Sequence, residues 1–353
     1  MKHELRALTS VRGIAAWFVV LYHIRMSIDG LPGWALAIVS KGYLAVDFFF
    51  LLSGFVIWLA WGQRLRDDPR QVPAFLKKRI ARVWPLHLGM LGFGVAFAGA
   101  LSLRGPVDPD YYPFALLPLH VLLIQNWGFA PGPNWNVPAW SISTEWAAYL
   151  LFPILAFTID WRRMPRWAAG GAILALFVLL DAAMTMAGAT NLGFEIDHFG
   201  LLRCLVEFTA GGALCGIWMH GGSSFPAFAV ASAVALGWWA GLPEMLAVPA
   251  LFAALLLALA LSSGGPHHPL EGRSLHWLGE ISYATYLSHF LLWVVFKLVA
   301  VDDPRHVSHM LIATYLIGVL AASALLYRYI ERPAQRWILG LRLPRPQPLG
   351  ESH

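Results

Sequence analysis

Apolar stretches of about twenty residues recur along this chain, each about long enough to cross a hydrocarbon core of about 30 Å as a helix. A spanning segment must satisfy its backbone N–H and C=O groups internally, so it is a helix or a strand of a closed barrel. None of these stretches alternates apolar and polar residues as a barrel strand does. The expected fold class is therefore all-α, a polytopic transmembrane helical bundle. Composition agrees, with 58% apolar and 13% charged residues and a mean hydropathy of +0.60, values that a water-soluble core of 353 residues does not need.

The spacing predicts about ten spans: Leu5 to Ile28, Tyr43 to Trp61, Val83 to Leu103, Asn136 to Ile159, Trp167 to Ala187, Leu201 to His220, Phe225 to Gly241, Glu244 to Ser263, Leu278 to Ala300 and Ser308 to Ile330. Phe114 to Asn126 is too short to span and is interrupted by Pro118, so it reads as re-entrant or interfacial. The densest basic segment, Arg64 to Arg82, and a second one at Arg162, Arg163 and Arg166 should both face the cytoplasm. Treating Phe114 to Asn126 as non-spanning satisfies both and leaves both termini cytoplasmic. The first apolar segment contains Arg12 and His23 and lacks a small-residue cleavage site, so it reads as a retained helix. Residues 1–340 then form one membrane domain, and 341–353 a disordered, Pro-rich tail.

The net charge of +5 could suggest nucleic acid, but the basic residues sit in connecting segments rather than in one patch, so no nucleic-acid partner is expected. Cys204 and Cys215 lie eleven residues apart on one expected helix, about 16 Å, too far for a disulfide.

Ionisable groups inside a bilayer are costly and mark candidate sites. Arg12 and His23 are eleven residues apart, which returns within about 20° to the same helix face with a rise of about 16.5 Å. Small residues Gly13, Ala15 and Ala16 beside Arg12 leave room for helix packing or a ligand. Asp47 could orient His23 or serve as an acid favoured at a helix N-terminus. Ser141, Glu145 and Tyr149 share one helix face, as do Ser282, Tyr286 and His289, the latter flanked by Glu280 and Tyr283. Glu145 needs a partner, for which Arg12, Arg203 or a polar ligand would serve. Arg79 and Arg82, three apart beside Lys78, either grip phosphates or mark topology. Gln125, Asn126, Trp127, Asn134, Trp135, Asn136 and Trp140 gather amides and indoles that suit a sugar or a membrane interface. Polar stripes from four helices imply a shared internal cavity.

With these residues assembled, the chain resembles the acyltransferase-3 family of membrane acyltransferases. The resemblance rests on Leu5-Arg6-Ala7-Leu8 through Arg12 and His23, on Asp47 to Phe55, on Lys78 to Arg82, on Trp140 to Trp146, on Ile281 to His289 and on Glu331-Arg332-Pro333. It implies transfer of an acyl group, usually acetyl from acetyl-CoA, to hydroxyls of surface polysaccharides or related acceptors, with Arg12, His23, Arg79 and Arg82 essential. The chain is similar to members that stand alone, without a fused hydrolase-like domain.

The resulting expectation is a multi-pass enzyme of the bacterial cytoplasmic membrane with acyl-CoA as co-substrate, a glycan or glycolipid acceptor, and no metal. His23, Asp47 and Glu145 are the expected catalytic residues, with His23 as general base or as an acyl-carrying nucleophile. Arg12, Lys78, Arg79 and Arg82 would bind the donor. Ser141, Tyr283, Tyr286, His289, Trp127 and Trp135 would contact substrate. The rival readings are a transporter of a small polar or glycosidic solute and a non-enzymatic partner of an envelope synthase.

Overall fold

The computed structural model describes residues 5–265 and 268–341. Among them there is no strand, only an isolated bridge joining Ile28 to Val307. Helix α1 (Arg6–Ile24) is followed by short α2 (Gly33–Val39), α3 (Ala45–Ile57) and α4 (Gln63–Asp67), and then by α5 (Val72–Ser102), short α6 (Leu117–Leu122) and α7 (Ala139–Thr158). Next come α8 (Arg166–Met186), α9 (Ile196–Met219), α10 (Phe225–Trp239), α11 (Glu244–Ser262), α12 (Arg273–Glu280), α13 (Ser282–Ala300), α14 (His309–Leu326) and α15 (Arg332–Gly340). Among the described residues, eight helices are long and apolar enough to cross a membrane. Two further helices lie in expected spans: α7, whose first turns are polar, and the 15-residue α10.

Several boundaries differ from the sequence expectation. The third span begins at Val72 rather than Val83, because Pro73 sits in a first turn where its missing N–H costs nothing. The Lys77 to Arg82 run is thus already helical. The span expected from Leu278 to Ala300 is broken at Ile281 into α12 and α13. The last span runs on beyond Ile330, through a π-helical turn at Tyr327–Glu331 into α15. The segment from Phe114 forms only one 3₁₀ turn and the six-residue α6, and it ends at Leu123 in left-handed backbone. Cys204 and Cys215 are free and buried. The expected tail, 341–353, lies outside the described residues from position 342 onward.

Two glycine contacts set the geometry of the site. On α3 and α9, a Cβ on Gly54 would stand 1.9 Å from the Phe208 carbonyl oxygen, and one on Gly211 would stand 2.1 Å from that of Leu51. These backbones touch. On α1 and α12, a Cβ on Gly13 would lie 2.7 Å from the Gly279 nitrogen, and one on Gly279 would lie 1.9 Å from the Thr9 oxygen. Without side chains between them, the C-terminal carbonyl of α12 reaches Arg12.

One end of the bundle collects the basic segments. Arg66 donates to the last carbonyls of α7, 2.7 Å to Ala156 and 2.8 Å to Ile159. Asp160 faces Arg66, Arg162 and Arg163 at 3.6, 3.2 and 3.4 Å. Burial opposes its charge, but hydrogen bonding and attraction from Arg162, with Arg66, hold the carboxyl below its usual range. Lys77 caps α15 by donating to the Leu339 and Leu341 carbonyls. The α4–α5 segment, the α7–α8 loop and the end of α15 therefore share one side, as the charge pattern demanded.

Gly54→Val is expected to lower unfolding stability in detergent by about 1–3 kcal/mol or more, since the new atoms meet backbone. Gly89→Ala is the control, because nothing lies within 4 Å of its added carbon. Equal stability of both variants would contradict the close α3–α9 contact.

Candidate active site

A cavity of about 430 Å³ lies between α1, α3, α5, α7 and α13. At the end bearing the basic segments it is bounded by Leu5, Leu8 and Leu59, and toward the other end by Ser141 and Tyr286. Arg12, Arg79, Arg82, Glu145, Tyr149, Ser282 and Tyr283 also line it. Seven of the thirteen residues expected at the site thus meet in one space: Arg12, Arg79, Arg82, Ser141, Glu145, Tyr283 and Tyr286.

The three arginines differ in what neutralises them. Arg12 donates to the Gly279 carbonyl at 2.7 Å and to Ser282 Oγ at 3.0 Å. A guanidinium at the end of α12 is also favoured by the helix dipole. Arg82 pairs with the buried Glu331 and lies 5.1 Å over the ring of Tyr283. Glu331 is held at this position by the π-helical turn, and π turns often mark functional sites. Arg79 has no hydrogen-bond or ion-pair partner among the described residues. Its buried Nε is unpaired, and its guanidinium lies 5.9 and 5.6 Å from the rings of Phe75 and Tyr149.

Glu145, for which spacing offered Arg12 or Arg203, instead accepts from Ser53 and, at 2.5 Å, from Tyr149. At the far end Tyr286 Oη and Ser141 Oγ are 2.8 Å apart, and Ser141 also donates to Pro138 O at 3.2 Å. Ser141 can then accept the Tyr286 proton. Tyr283 gives its proton to the Val83 carbonyl at 2.7 Å, so it is not a free donor.

His23 lies outside the cavity lining, next to His289: His23 Nδ1 and His289 Nε2 are 3.2 Å apart. His289 in turn neighbours Tyr286, ring centroids 6.1 Å apart, so the pair continues the line beyond the Tyr286–Ser141 contact. Asp47 does not reach His23. It is fully buried and accepts from Arg203 Nη2 at 2.6 Å and Nε at 3.1 Å. A buried arginine needs a carboxylate more than a neutral imidazole does, which decides this pairing. Glu207, one turn from Arg203 and also fully buried, interacts with the same pair.

Three other expected site residues lie outside the cavity lining. Lys78 is exposed and lies 5.0 Å over the Trp61 ring rather than in the cavity. Trp135 is 1% exposed, packed on Tyr112 and Phe114, and its indole donates to Pro113 O. Trp127 donates to Ser143 O at 2.8 Å. The amides join them as staples: Asn126 donates to Ile196 O, Asn136 to Leu287 O and Gln125 to Ala139 O, while Asn134 Oδ1 accepts from His120 Nε2. Backbone and side-chain polar groups at membrane depth must find partners, and in this irregular segment they find each other. Sequence reasoning missed Ser53, Glu207 and the Glu331 counter-ion. Ser53 and Glu331 had a signal, lying in the Asp47 to Phe55 stretch and in the Glu-Arg-Pro at the chain's last helix; Glu207 had none.

The family model for the acyltransferase domain, type 3, matches residues 5–328. The chain belongs to this family. It is similar to acyltransferase MdmB of Streptomyces mycarofaciens, 32% identical over 97% of this chain and 94% of that protein. It is also similar to exopolysaccharide production protein ExoZ of Rhizobium meliloti, 29% identical over 84% of this chain and 90% of that one. Peptidoglycan O-acetyltransferase OatA of Listeria monocytogenes is 22% identical over 94% of this chain but only 56% of its own length. No solved structure matches. The chain is thus a multi-pass membrane acyltransferase, and the residues lining the arginine-bearing cavity all fall within the matched domain. Among the described residues no three His, Cys, Asp or Glu side chains form a metal-binding group.

Arg203→Met leaves Asp47 buried without its cation and should cost about 3–5 kcal/mol of stability. The double variant with Asp47→Asn should recover part of that loss. Additive losses in detergent unfolding would show that the two do not act as a pair.

Proposed function

We propose that this acyltransferase moves an acyl group, most simply acetyl, from acyl-CoA on the cytoplasmic side to a hydroxyl of a sugar-containing acceptor, a cell-surface polysaccharide or its lipid-linked precursor. The site would lie in the bacterial cytoplasmic membrane with both termini inside. The observation that carries this reading is Arg79. A half-buried guanidinium whose Nε is buried and unpaired and which has no counter-ion among the described residues, facing a cavity that already holds Arg12 and Arg82, calls for an anionic ligand. The phosphates of a coenzyme A donor meet that need. Arg12 would add a second contact, while Arg82, already neutralised by Glu331, would hold the cavity's shape. The basic side of the bundle supports a donor that arrives from the cytoplasm.

In this reaction the thioester arm extends from Arg79 and Arg12 along the cavity toward Tyr286 and Ser141. His23 lies about 16.5 Å above Arg12 along α1, a distance suited to an extended arm rather than a compact ligand. The His23 Nδ1 lies 2.9 Å from the Val19 carbonyl, which can only accept, so Nδ1 carries the proton and Nε2 the lone pair. Nε2 takes the proton of the acceptor hydroxyl as its oxygen attacks the thioester carbonyl. The C–S bond then breaks, and the departing thiolate takes the proton back from His23. The Tyr286 hydroxyl, turned from Ser141 to the substrate, would donate to the tetrahedral oxyanion. An acyl-His23 intermediate is the alternative course of the same chemistry. A second cavity of about 220 Å³, lined by Arg25, Asp29, Arg305 and His306, lies just beyond the end of α1 and offers an approach for the acceptor.

The relatives named for exopolysaccharide production and for peptidoglycan O-acetylation, together with the two-sided arrangement, favour a glycan acceptor. The transporter reading gains no support from the family match.

Titration of CoA into protein in lipid nanodiscs tests the donor site. Arg79→Gln is expected to weaken binding about 10- to 100-fold, the loss of a charge-assisted hydrogen bond worth ~1.5–3 kcal/mol. Lys78→Gln should leave it unchanged. Undiminished binding by Arg79→Gln, or none by the wild type, would remove coenzyme A from this cavity. Transfer of labelled acetyl should disappear with His23→Ala, and retained transfer would exclude His23 as base.

A further inference from the structure

The Val19 carbonyl accepts from Nδ1 of the proposed base, and neither carboxylate expected to join it there is free. Asp47 is committed to Arg203, and Glu145 to Ser53 and Tyr149. The group that does reach His23 is an imidazole. His289 Nε2 lies 3.2 Å from His23 Nδ1, with ring centroids 4.9 Å apart.

The hydrogen bonds around the pair assign its protons. His289 Nδ1 lies 3.1 Å from the Thr285 carbonyl, which only accepts, so in the neutral ring Nδ1 donates and Nε2 is left with a lone pair. His23 Nδ1 donates to the Val19 carbonyl for the same reason. With that proton on His23 Nδ1 and a lone pair on His289 Nε2 3.2 Å away, His289 is the second acceptor of a shared hydrogen bond. The set is consistent in one direction only: Thr285 O accepts from His289, and His289 accepts from His23. His289 is itself immobilised. It is fully buried, its own carbonyl accepts from Tyr315 at 2.8 Å, and its ring lies beside Tyr286.

We propose that His289 is a positioning residue for the transfer: it accepts the Nδ1 proton of His23, holds His23 with Nε2 unprotonated, and stabilises the imidazolium formed when Nε2 takes the acceptor's proton. This deepens the reading of His23 as base and rests on it. His289 then acts on His23 rather than on substrate, in the place a carboxylate holds in a serine-hydrolase triad. An imidazole suits a membrane site because it accepts a hydrogen bond without adding a buried charge to the resting enzyme. It is also a better acceptor for an imidazolium than the Val19 carbonyl alone, whose strength does not change as the charge develops. The remaining neighbours of His23 are the rings of Tyr22 and Phe290, met edge-on at 5.2 and 5.4 Å, and the Arg25 cation on the next turn. Among the described residues Nδ1 is hydrogen-bonded only to the Val19 carbonyl and to His289.

Full-length protein in nanodiscs, with labelled acetyl-CoA and water or a glycan as acyl acceptor, tests the assignment. His289→Leu should lower kcat about 10- to 100-fold, the usual cost of removing a histidine's orienting partner, with the KM for acetyl-CoA unchanged. His289→Gln, whose amide oxygen can accept the same proton, should restore most of that loss. Nitrogen NMR of histidine-labelled protein should show His23 protonated at Nδ1 in the wild type. Wild-type kcat in His289→Leu, equal defects in the Gln and Leu variants at unchanged melting temperature, or His23 protonated at Nε2 would each overturn the proposal. Retained transfer by His23→Ala would instead overturn the base assignment itself, so the two failures are separable.

Discussion

A guanidinium inside a membrane must find something to neutralise it, and the structure is arranged around four answers to that demand. Arg203 takes Asp47 and joins α9 to α3. Arg82 takes Glu331 and joins α5 to the turn before α15. Arg12 takes a carbonyl at the end of α12, made reachable by the Gly13–Gly279 contact. Arg79 has only aromatic faces. The first three lock helices together, and the fourth leaves a positive charge for a ligand to meet. Structure and proposed donor site are thus parts of one electrostatic arrangement.

That arrangement explains what could be read from sequence and what could not. Span positions were legible because each element must be apolar over a membrane's thickness, and the short segment at Phe114 was legible because it is not. The start of α5 was not, since Lys77 to Arg82 can be helical wherever long side chains reach a cavity or the interface. The break at Ile281 was hidden because the apolar pattern runs on through it, and the contact of Gly279 with Thr9 lies across the chain.

At the site, spacing along single helices placed Arg12, Arg79, Arg82, Ser141, Glu145 and Tyr286 on one cavity. Partner choice across helices was not available to the same reasoning. Asp47 looked like a companion for His23, but Arg203 competes for it and wins, because an unpaired buried cation costs more than a histidine without a carboxylate. Trp127, Trp135 and the nearby amides had the composition of a sugar site. Their polar atoms are hydrogen-bonded within an irregular segment, a pairing that spacing does not show. His289 shows the reverse: its residue type suggested substrate contact, while its protons point to His23.

The account separates the cavity that would hold the donor from the histidine pair that would do the chemistry, with Tyr286 and Ser141 between them. A structure of the protein in nanodiscs with acetyl-CoA bound tests this most directly. The account predicts phosphate density at Arg79 and Arg12 and an extended thioester arm ending between Tyr286 and His23. Coenzyme density elsewhere, or an arm folded short of Tyr286 with the acetyl group far from His23, would contradict it.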